Sequence, residues 1–388
     1  MPNILLSKIE KFDYPFTDGD YNFLTSAKSK HGELVLVSFK DKKFFLQIKK
    51  RENGYLVKAD KITSVSPVFI IHEALKIFAR QSGGEILFSN IESKKKKSSK
   101  VSPYLKDIDY FLNDFKTEGK NILVEIGFGS GRHLLYQAKQ NPSSIIIGLE
   151  IHKPSIEQVV KRCEREGIKN VLVVNYDARI FLEFLQSNSV ERIFVHFPVP
   201  WDKKPHRRVI SGDFINEAVR VLKKDGTLEL RTDSDNYFEY SLEQFLNLKK
   251  SSFTVFKNRD LQISSKYEDR WKRLNKNIYD LNFKNEEISQ KSEKRVPLVF
   301  ENSVLFSKIK KKFKNEILRE KDFFIHFEDI YEIDEKSGFL KLTFGAYQKS
   351  EHLYIYISDK KTEYIPNGVL PSLANTKAHQ KIKEWIDG

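Results

Sequence analysis

The sequence predicts an α/β domain with a largely parallel sheet, set between two smaller strand-rich regions. Three apolar runs, at residues 121–124, 145–149 and 171–174, have the length and composition of buried strands. A stretch with helical spacing of its apolar residues follows each run, and continuous apolar strands that alternate with helices are typical of parallel sheets. The flanking regions instead show the polar–apolar alternation of half-buried strands.

The remaining elements follow in chain order. In the N-terminal region, strands cover residues 33–39 and 43–48, and a short helix follows them with Ile71, Leu75 and Phe78 on one face. The central region adds helices at 156–163 and 180–185, a strand at 192–196, a helix that Asp213 caps and that ends near Gly226, and a strand at 227–232. The C-terminal region adds a strand at 353–357 and a closing helix at 377–386.

The 388 residues are enough for two to three domains. We predict a strand-rich N-terminal domain over residues 1–92, a basic linker over 93–103, the α/β domain over 104–278 and a mixed α+β domain over 279–388. The linker contains a run of lysines and serines with no apolar residue to bury. It is either a solvated connection or a basic arm that contacts a phosphate backbone, and the sequence leaves both open.

Composition narrows the class of function. Lys and Arg number 67 against 53 Asp and Glu, which gives a net charge of +14. This charge favours a polyanionic partner such as nucleic acid or an anionic membrane surface, although a Lys-rich protein with no partner would carry it too. The single cysteine, Cys163, excludes an internal disulfide framework and a cysteine-based zinc cluster. Because no apolar run approaches ~20 residues and no secretory signal is seen, we expect a cytoplasmic protein without a membrane segment.

A glycine-rich turn directly follows the strand at 121–124. It begins with Glu125 and contains Gly127, Gly129 and Gly131. Glycines allow a tight strand-to-helix turn and a close approach of a ligand to the backbone. The spacing differs from the G-x-G-x-x-G of dinucleotide sites, and a carboxylate beside the turn would repel a pyrophosphate. The same carboxylate suits a ligand with an ammonium and a sulfonium group, as in S-adenosylmethionine.

Two more acidic residues close the next two strands. Glu150 ends the strand at 145–149, where a carboxylate can accept hydrogen bonds from ribose hydroxyls. Asp177 follows the strand at 171–174 and could accept from an adenine amino group. Together with Glu125, these residues predict a site for S-adenosylmethionine at the carboxyl ends of three successive strands.

The loop over residues 197–208 follows the strand at 192–196 and faces the same edge of the sheet. Prolines stiffen it, and Trp201 offers a flat surface for stacking. Its cations are Lys203, Lys204, Arg207 and Arg208. An aromatic ring beside clustered cations is what an unstacked RNA base with its flanking phosphates requires. The alternative is a proline-rich loop with a core tryptophan and solvated charges.

These motifs together resemble the bacterial tRNA (guanine-N(7)-)-methyltransferases, enzymes that methylate guanine 46 in the variable loop of tRNA. The resemblance covers residues 119–272 and implies a Rossmann-like sheet of the class I methyltransferases. The matching motifs are Glu125–Gly131, Gly148–Glu150, Asp177-Ala178, Phe197–His206, Leu222–Gly226, Thr232-Asp233 and Ser265–Glu268. Residues 1–100 and 280–388 lie outside the resemblance and look like appendages that only a subset of such enzymes carries.

The resemblance also implies roles for particular residues. The residues expected to bind S-adenosylmethionine are Glu125, Gly127, Gly129, Gly131, Glu150 and Asp177. The residues expected to contact tRNA are Lys203, Asp233, Ser265 and Glu268. No metal is expected, and the oligomeric state is left open.

One departure from the family pattern leaves the catalytic residue unassigned. Val199 stands where the family has an aspartate, and Asp202 stands where it has a proline. Guanine N7 has a free lone pair and no proton, so methyl transfer to it needs no general base, and His206 has no proton to take. The protein then has only to align N7 with the methyl group and the sulfur, and such positioning can lower the barrier by ~7–11 kcal/mol. We hypothesise that Asp202 or Asp233 supplies a negative field for the cationic product base.

Three other functions compete with this interpretation. Methyltransferases that act on amino groups use Asn/Asp-Pro-Pro-Tyr/Phe after the fourth strand, and residues 197–201 lack the polar first residue of that motif. A non-catalytic RNA-binding protein on the same fold would have no use for intact cofactor-binding carboxylates at Glu125, Glu150 and Asp177. A methyltransferase that acts on another RNA position remains an alternative.

Overall fold

The structure is a computed structural model. The residues that it describes are 1–91, 102–263, 266–292, 295–366 and 368–388, with the side chains of residues 266 and 267 left out. Most of the predicted basic linker and the predicted tRNA contact Ser265 lie outside the described residues. The chain forms two compact units. We call residues 100–295 the parallel-sheet unit, and residues 1–99 with 296–388 the terminal unit.

The described residues contain strands and helices that we number in chain order. The strands are β1 (Asn3–Leu6), β2 (Phe16–Asp18), β3 (Tyr21–Ser29), β4 (Gly32–Phe39), β5 (Lys42–Arg51), β6 (Gly54–Ala59), β7 (Ile86–Ser89), β8 (Leu105–Lys106), β9 (Ile122–Ile126), β10 (Ile145–Leu149), β11 (Val171–Val174), β12 (Val190–His196), β13 (Leu222–Thr232), β14 (Ser252–Lys257), β15 (Tyr279–Lys284), β16 (Glu316–Arg319), β17 (Phe324–Glu332), β18 (Ser337–Gly345), β19 (Ser350–Ser358) and β20 (Thr362–Ile365). The helices are α1 (Phe69–Gln81), α2 (Ile108–Asn113), α3 (Arg132–Gln140), α4 (Lys153–Glu166), α5 (Ala178–Phe181), α6 (Gly212–Val221), α7 (Asp235–Leu246), α8 (Lys266–Arg273), α9 (Phe306–Lys312) and α10 (Leu373–Asp387).

The parallel-sheet unit confirms the predicted α/β fold class. Its sheet has the order β14-β15-β13-β12-β9-β10-β11-β8. Strands β8 to β13 are parallel, whereas β15 and β14 extend the sheet in antiparallel fashion. The strand order reverses beside β9, where the chain crosses to β10 on one side and β12 on the other. In open sheets of this type, ligands bind outside the carboxyl ends of the strands at such a switch point.

One predicted boundary in this unit is wrong. Ser211, not Asp213, caps α6, since its side chain accepts a hydrogen bond from the Phe214 N–H. The helix ends at Val221, and Leu222 already begins β13. The sequence around Gly226 offers a helix stop, but Leu222 already pairs with Val190 of β12 and Thr227 pairs with Arg192, with a register shift between the two pairs. Strand β13 therefore begins before Gly226.

The terminal unit is built on one sheet that both ends of the chain share. Its strand order is β20-β19-β18-β17-β3-β4-β5-β6-β1-β7, with β2 beside β3 and β16 beside β17. The division into units therefore differs from the predicted domains: β15 belongs to the parallel-sheet unit, and residues 296–388 join the N-terminal residues. Polar–apolar alternation shows which face of a strand is buried but not which strand lies beside it.

Three apolar clusters form the core of the terminal unit. Helix α1 packs on one cluster, and α9 with α10 packs on another. In the third, the ring of Phe45 lies 5.0 Å from that of Phe339 and 4.8 Å from that of Tyr354, so the N-terminal and C-terminal strands bury each other. Among the helices of the described residues, none has the length and apolar character needed to cross a membrane.

Candidate cofactor and nucleic-acid site

The glycine-rich turn connects β9 to α3 and leaves open space in front of its backbone. Gly127, Gly129 and Gly131 have positive φ angles of 70°, 52° and 68°. A Cβ at Gly127 would meet no atom within 4 Å, and one at Gly129 would meet only the Gly127 carbonyl oxygen, 3.9 Å away. A Cβ at Gly131 would instead lie 2.3 Å from Cγ2 of Val159. The first two glycines therefore form a cradle that a ligand can enter. The third lets the start of α3 pack closely against Val159 of α4.

Glu150 fastens this turn to the end of β10. Its Oε2 accepts a hydrogen bond from the Gly129 N–H at 2.9 Å. Its Oε1 accepts from the N–H groups of Ile151 and His152 at 2.8 and 2.9 Å. The structure thus brings Glu150 and the glycine-rich turn together, as their positions at neighbouring strand ends predicted.

Glu125 is only 3% exposed, and its carboxylate is directed at helix α3. Its Oε2 lies 2.8 Å from Nδ1 of His133. Burial alone would lower the pKa of His133, but the charge and hydrogen bond of Glu125, with the charge of Glu229, raise that pKa overall. The imidazole and the carboxylate are thus hydrogen-bonded to each other inside the protein, beside the glycine-rich turn.

A second histidine–carboxylate pair lies against the first. The ring of His196 is 4.4 Å from the ring of His133, and its Nε2 lies 2.8 Å from Oε1 of Glu229. Burial favours a higher pKa for Glu229, yet His196, His133 and Arg192 lower it to about 2. Sequence analysis missed His133, His196 and Glu229. For His196 and Glu229, the sequence did carry a signal, because each is a titratable strand residue with an apolar residue on both sides.

Asp177 caps α5 and is neutralised by a neighbour. Its Oδ1 accepts from the Arg179 N–H at 3.0 Å, and its Oδ2 pairs with the Arg179 guanidinium at 2.6 Å. The ends of β10 and β11 are linked nearby, because Nδ2 of Asn175 donates to the Glu150 carbonyl at 2.9 Å. Asp177 and Glu150 thus lie at adjacent strand ends, although no direct bond joins their carboxylates among the described contacts.

The loop over residues 197–208 is anchored at its start and at its end. The Phe197 N–H donates to the Arg231 carbonyl at 2.7 Å, and Phe197 itself has a φ of 49°. At the other end, Nε of Arg208 donates to the Pro200 carbonyl at 2.7 Å. The loop is held as a closed bend over the end of β12.

Arg208 is not a phosphate partner in this arrangement, which corrects the sequence interpretation. It is buried, and its guanidinium lies 4.5 Å from the ring of Tyr240. The Pro200 carbonyl needs a donor, and Arg208 supplies it from inside the loop. Lys203, Lys204 and Arg207 are exposed, with Arg207 5.1 Å from the ring of Trp201. At least one exposed cation of the loop therefore lies beside its aromatic ring.

The two aspartates proposed to supply a negative field have different surroundings. The Asp202 side chain is 52% exposed and pairs with Arg208 at 3.3 Å. The Asp233 side chain is 17% exposed and pairs with Lys276 at 2.9 Å. Val199 is exposed on the loop. Because this residue is a valine, no carboxylate occupies the position.

Glu268 lies in helix α8 and is 1% exposed. Its carboxylate pairs with Arg231 at 2.9 Å and with Lys272 at 3.0 Å. Helix α8 also contacts the start of α3, since Arg132 pairs with Asp269 at 2.7 Å. In this structure the Glu268 carboxylate therefore faces the protein interior, while its predicted contact with tRNA stays a prediction. No group of His, Cys, Asp and Glu among the described residues is arranged to hold a metal ion.

The chain is similar to known proteins over its whole length. A family model described as "Putative methyltransferase" matches residues 119–281. The tRNA (guanine-N(7)-)-methyltransferase of Wolinella succinogenes is 45% identical, over 100% of this chain and 100% of that protein. Proteins of the same name from Campylobacter jejuni and Helicobacter hepaticus are 44% and 38% identical, over 100% and 98% of this chain and 98% of each protein. The similarity thus includes the terminal unit.

Proposed function

Because the chain belongs to the tRNA (guanine-N(7)-)-methyltransferase family, we propose that it transfers a methyl group from S-adenosylmethionine to N7 of guanine 46 in tRNA. The observation that supports this most directly is the cradle at Gly127 and Gly129, closed at one side by the Glu150 carboxylate. A turn of this shape lets a nucleoside approach the protein backbone closely. The carboxylates beside the turn suit the cationic amino-acid group of the ligand.

The residues at the cradle fit S-adenosylmethionine. A carboxylate has about four acceptor positions, and Glu150 uses three on backbone N–H groups. One therefore remains for a ribose hydroxyl. Asp177, which also pairs with Arg179, would accept from the adenine amino group. Glu125 is buried and bonded to His133, so it would act on the ammonium group through its charge rather than by contact. When bound, S-adenosylmethionine supplies an electrophilic methyl group.

The chain's own residues have to hold the guanine in line with that group. Trp201 would stack against an RNA base, and Lys203, Lys204 and Arg207 would neutralise the flanking phosphates. No side chain has to remove a proton from N7, so exposed His206 is not needed as a base. Asp233 is the stronger candidate for the negative field, because its lower exposure leaves it less screened by water than Asp202.

Methyl transfer from labelled S-adenosylmethionine into tRNA, followed by nucleoside analysis, tests this proposal. We expect 7-methylguanosine in wild-type tRNA transcripts and none in transcripts with adenine at position 46. Label that persists in the second transcript indicates another RNA position. Binding of S-adenosylmethionine without any transfer indicates a non-catalytic RNA-binding protein.

Asp233→Asn and Asp202→Asn test the electrostatic assignment. We expect Asp233→Asn to slow transfer about 100-fold, the lower end of the effect of removing one preorganised electrostatic group from an active site, and Asp202→Asn to slow it less. Glu157→Gln, at an exposed position of α4, is the matched control for loss of one negative charge. Full rates in both aspartate variants would show that neither residue supplies the field.

A further inference from the structure

Arg231, at the carboxyl end of β13, ties three chain segments together from inside the protein. Its side chain is fully buried. Nη1 pairs with the carboxylate of Asp280 on β15. Nη2 donates to Oε1 of Glu268 on α8 and to the Arg259 carbonyl, each at 2.9 Å. One guanidinium thus fixes the start of α8, the loop that precedes it and the neighbouring strand.

The backbone of the same residue holds a fourth segment. The Arg231 carbonyl accepts the Phe197 N–H at 2.7 Å, at the start of the loop over residues 197–208. This bond continues the ladder between β12 and β13 beyond His196 and fixes the direction in which the loop leaves the sheet. The loop and helix α8, both expected to contact tRNA, are therefore attached to one residue, the first through its backbone and the second through its side chain.

A purely structural role does not explain an ion pair at this position. Burying charges costs solvation energy, and apolar side chains of similar volume often stabilise a core as well or better. The cluster also leaves Nε of Arg231 and Oδ2 of Asp280 without hydrogen-bond partners among the described residues. A guanidinium has its donors in a fixed planar fork, so it sets the direction of each partner. The arrangement therefore fixes the directions of the partner groups more than it stabilises the fold.

We propose that Arg231 is a positioning residue, which holds the loop over residues 197–208 and helix α8 in the mutual arrangement that aligns tRNA for methyl transfer. This inference rests on the proposed function. It places Arg231 outside any contact with the substrate, because its side chain is buried. It predicts that changes at Arg231 affect the step that uses tRNA and leave the binding of S-adenosylmethionine unchanged.

Three variants and one matched control test the proposal. Arg231→Lys keeps the charge but not the fork, Glu268→Gln removes the charge of its partner, and the double variant combines the two. Arg220→Gln is the control, because Arg220 on α6 makes similar bonds in the same unit, to Glu217 and to the carbonyls of Leu182 and Leu185. We expect each single variant to lower kcat for tRNA at least tenfold, with the dissociation constant of S-adenosylmethionine within twofold of wild type.

The double variant separates a shared role from two independent ones. If Arg231 acts through Glu268, the double variant is no slower than the worse single variant. Arg220→Gln is expected to lower the melting temperature while leaving kcat within twofold. Single variants with kcat within twofold of the Arg220→Gln protein would overturn the proposal.

Hydrogen exchange tests the attachment without any activity. In Arg231→Lys we expect faster exchange in residues 259–263 and 266–273, which the guanidinium holds. The Phe197 N–H should exchange as in wild type, because its acceptor is the backbone carbonyl of residue 231, and Arg220→Gln should change neither segment. Unchanged exchange in residues 259–263 and 266–273 of Arg231→Lys defeats the positioning role whatever the activity. Wild-type protein that shows no methyl transfer at all defeats the proposed function instead, so the two failures can be told apart.

Discussion

The two units of the chain bury polar groups in different ways. In the parallel-sheet unit, buried charges face opposite charges, as Arg231 faces Glu268 and Asp280. In the terminal unit, buried Asp60 is satisfied mainly by neutral donors, including Gln47 at 2.6 Å and Tyr354 at 3.1 Å. Among the described residues, the buried arginines all belong to the parallel-sheet unit.

This difference shows in which unit charged groups are buried despite the solvation energy that their burial costs. Buried ion pairs contribute little net stability, but they fix the direction of the groups that they join. In the parallel-sheet unit they lie at the carboxyl ends of β9, β12 and β13, beside the glycine-rich turn and the loop over residues 197–208. The terminal unit relies instead on aromatic packing, as around Phe45. The comparison predicts that variants in the two units have separable effects.

The largest effect is expected from Phe339→Ala in the terminal unit. Removal of this buried ring should destabilise the unit by about 3–5 kcal/mol, because it leaves a cavity beside Phe45 and Tyr354. Denaturant unfolding followed by hydrogen exchange measures the loss, and calorimetric titration with S-adenosylmethionine should show an unchanged affinity. Phe88→Ala, at an exposed position of β7, is the control. A parallel loss of ligand affinity would break the comparison.

Gly131→Ala should be the most damaging change at the glycine-rich turn. The added methyl group would strain the positive φ and overlap Val159, at a total cost of about 2–4 kcal/mol. Gly167→Ala at the end of α4 has a similar φ of 66° but open space around the new Cβ, so it should cost only about 1 kcal/mol. Denaturant unfolding of both variants separates backbone strain from steric overlap. Equal losses in the two would show that Val159 moves aside.

Glu150→Gln should weaken binding of S-adenosylmethionine about 10- to 100-fold. The amide nitrogen cannot accept a hydrogen bond, so with three backbone N–H groups to satisfy no acceptor position remains for a ribose hydroxyl. A bond to a charged acceptor is worth about 1.5–3 kcal/mol. Calorimetric titration measures the change. Glu157→Gln serves again as the control, and an unaltered affinity in Glu150→Gln would remove Glu150 from the cofactor site.

The two units should respond to pH in opposite directions near neutrality. The pKa of His133 is raised, so its contribution to the stability of the parallel-sheet unit is present below pH 6.5 and is lost as the pH rises through the raised pKa. Burial among Tyr364, Val299 and Phe300 lowers the pKa of His379, despite the hydrogen bond with the Val299 carbonyl. The terminal unit should therefore lose stability as the pH falls below 6.5.

Hydrogen exchange at pH 5.5, 6.5 and 8, resolved by unit, measures both trends. Each pKa unit of difference is worth about 1.4 kcal/mol. His133→Gln should flatten the dependence of the parallel-sheet unit, and His379→Gln that of the terminal unit. Trends of the same sign in both units would contradict the assignment of these two histidines.

The smallest effect concerns the exposed lysines. Lys203→Ala on the loop and Lys311→Ala on the outer face of α9 each remove one exposed positive charge. If both units contact tRNA, each change should reduce the slope of log affinity against log salt by about 1. Filter binding between low and moderate salt measures the slope. A reduced slope for Lys203→Ala alone would confine the RNA footprint to the parallel-sheet unit.

The sequence was sufficient to predict the elements that depend on residues close together in the chain. Apolar runs located β9, β10 and β11, and the order of strands at a parallel sheet then put Glu150 beside the glycine-rich turn. Turn glycines and strand ends are short-range features, so a single sequence carries them.

The rest depended on contacts between distant residues. Arg231 and Asp280 are 49 positions apart and meet only because β15 pairs with β13 in antiparallel register. The shared sheet of the terminal unit depends on β3 and β17, which meet at Lys28 and Glu332. Alternation in each strand was visible, but partner and register are set by the whole assembly. The inward direction of Arg208 was hidden for another reason: its acceptor, the Pro200 carbonyl, is near in sequence, but a backbone carbonyl leaves no residue-type signal.

The sheet shared by the two ends of the chain has a consequence for synthesis. The face of β4 that carries Leu34 and Leu36 is covered by Phe339 and Tyr354, which leave the ribosome some 300 residues later. At the usual elongation speed of about 5–20 residues per second, that apolar face stays without its cover for roughly 15–60 seconds. The parallel-sheet unit, encoded between the two halves, can fold during this interval. A nascent chain of this protein should therefore be a client of ribosome-associated chaperones until its last hundred residues emerge.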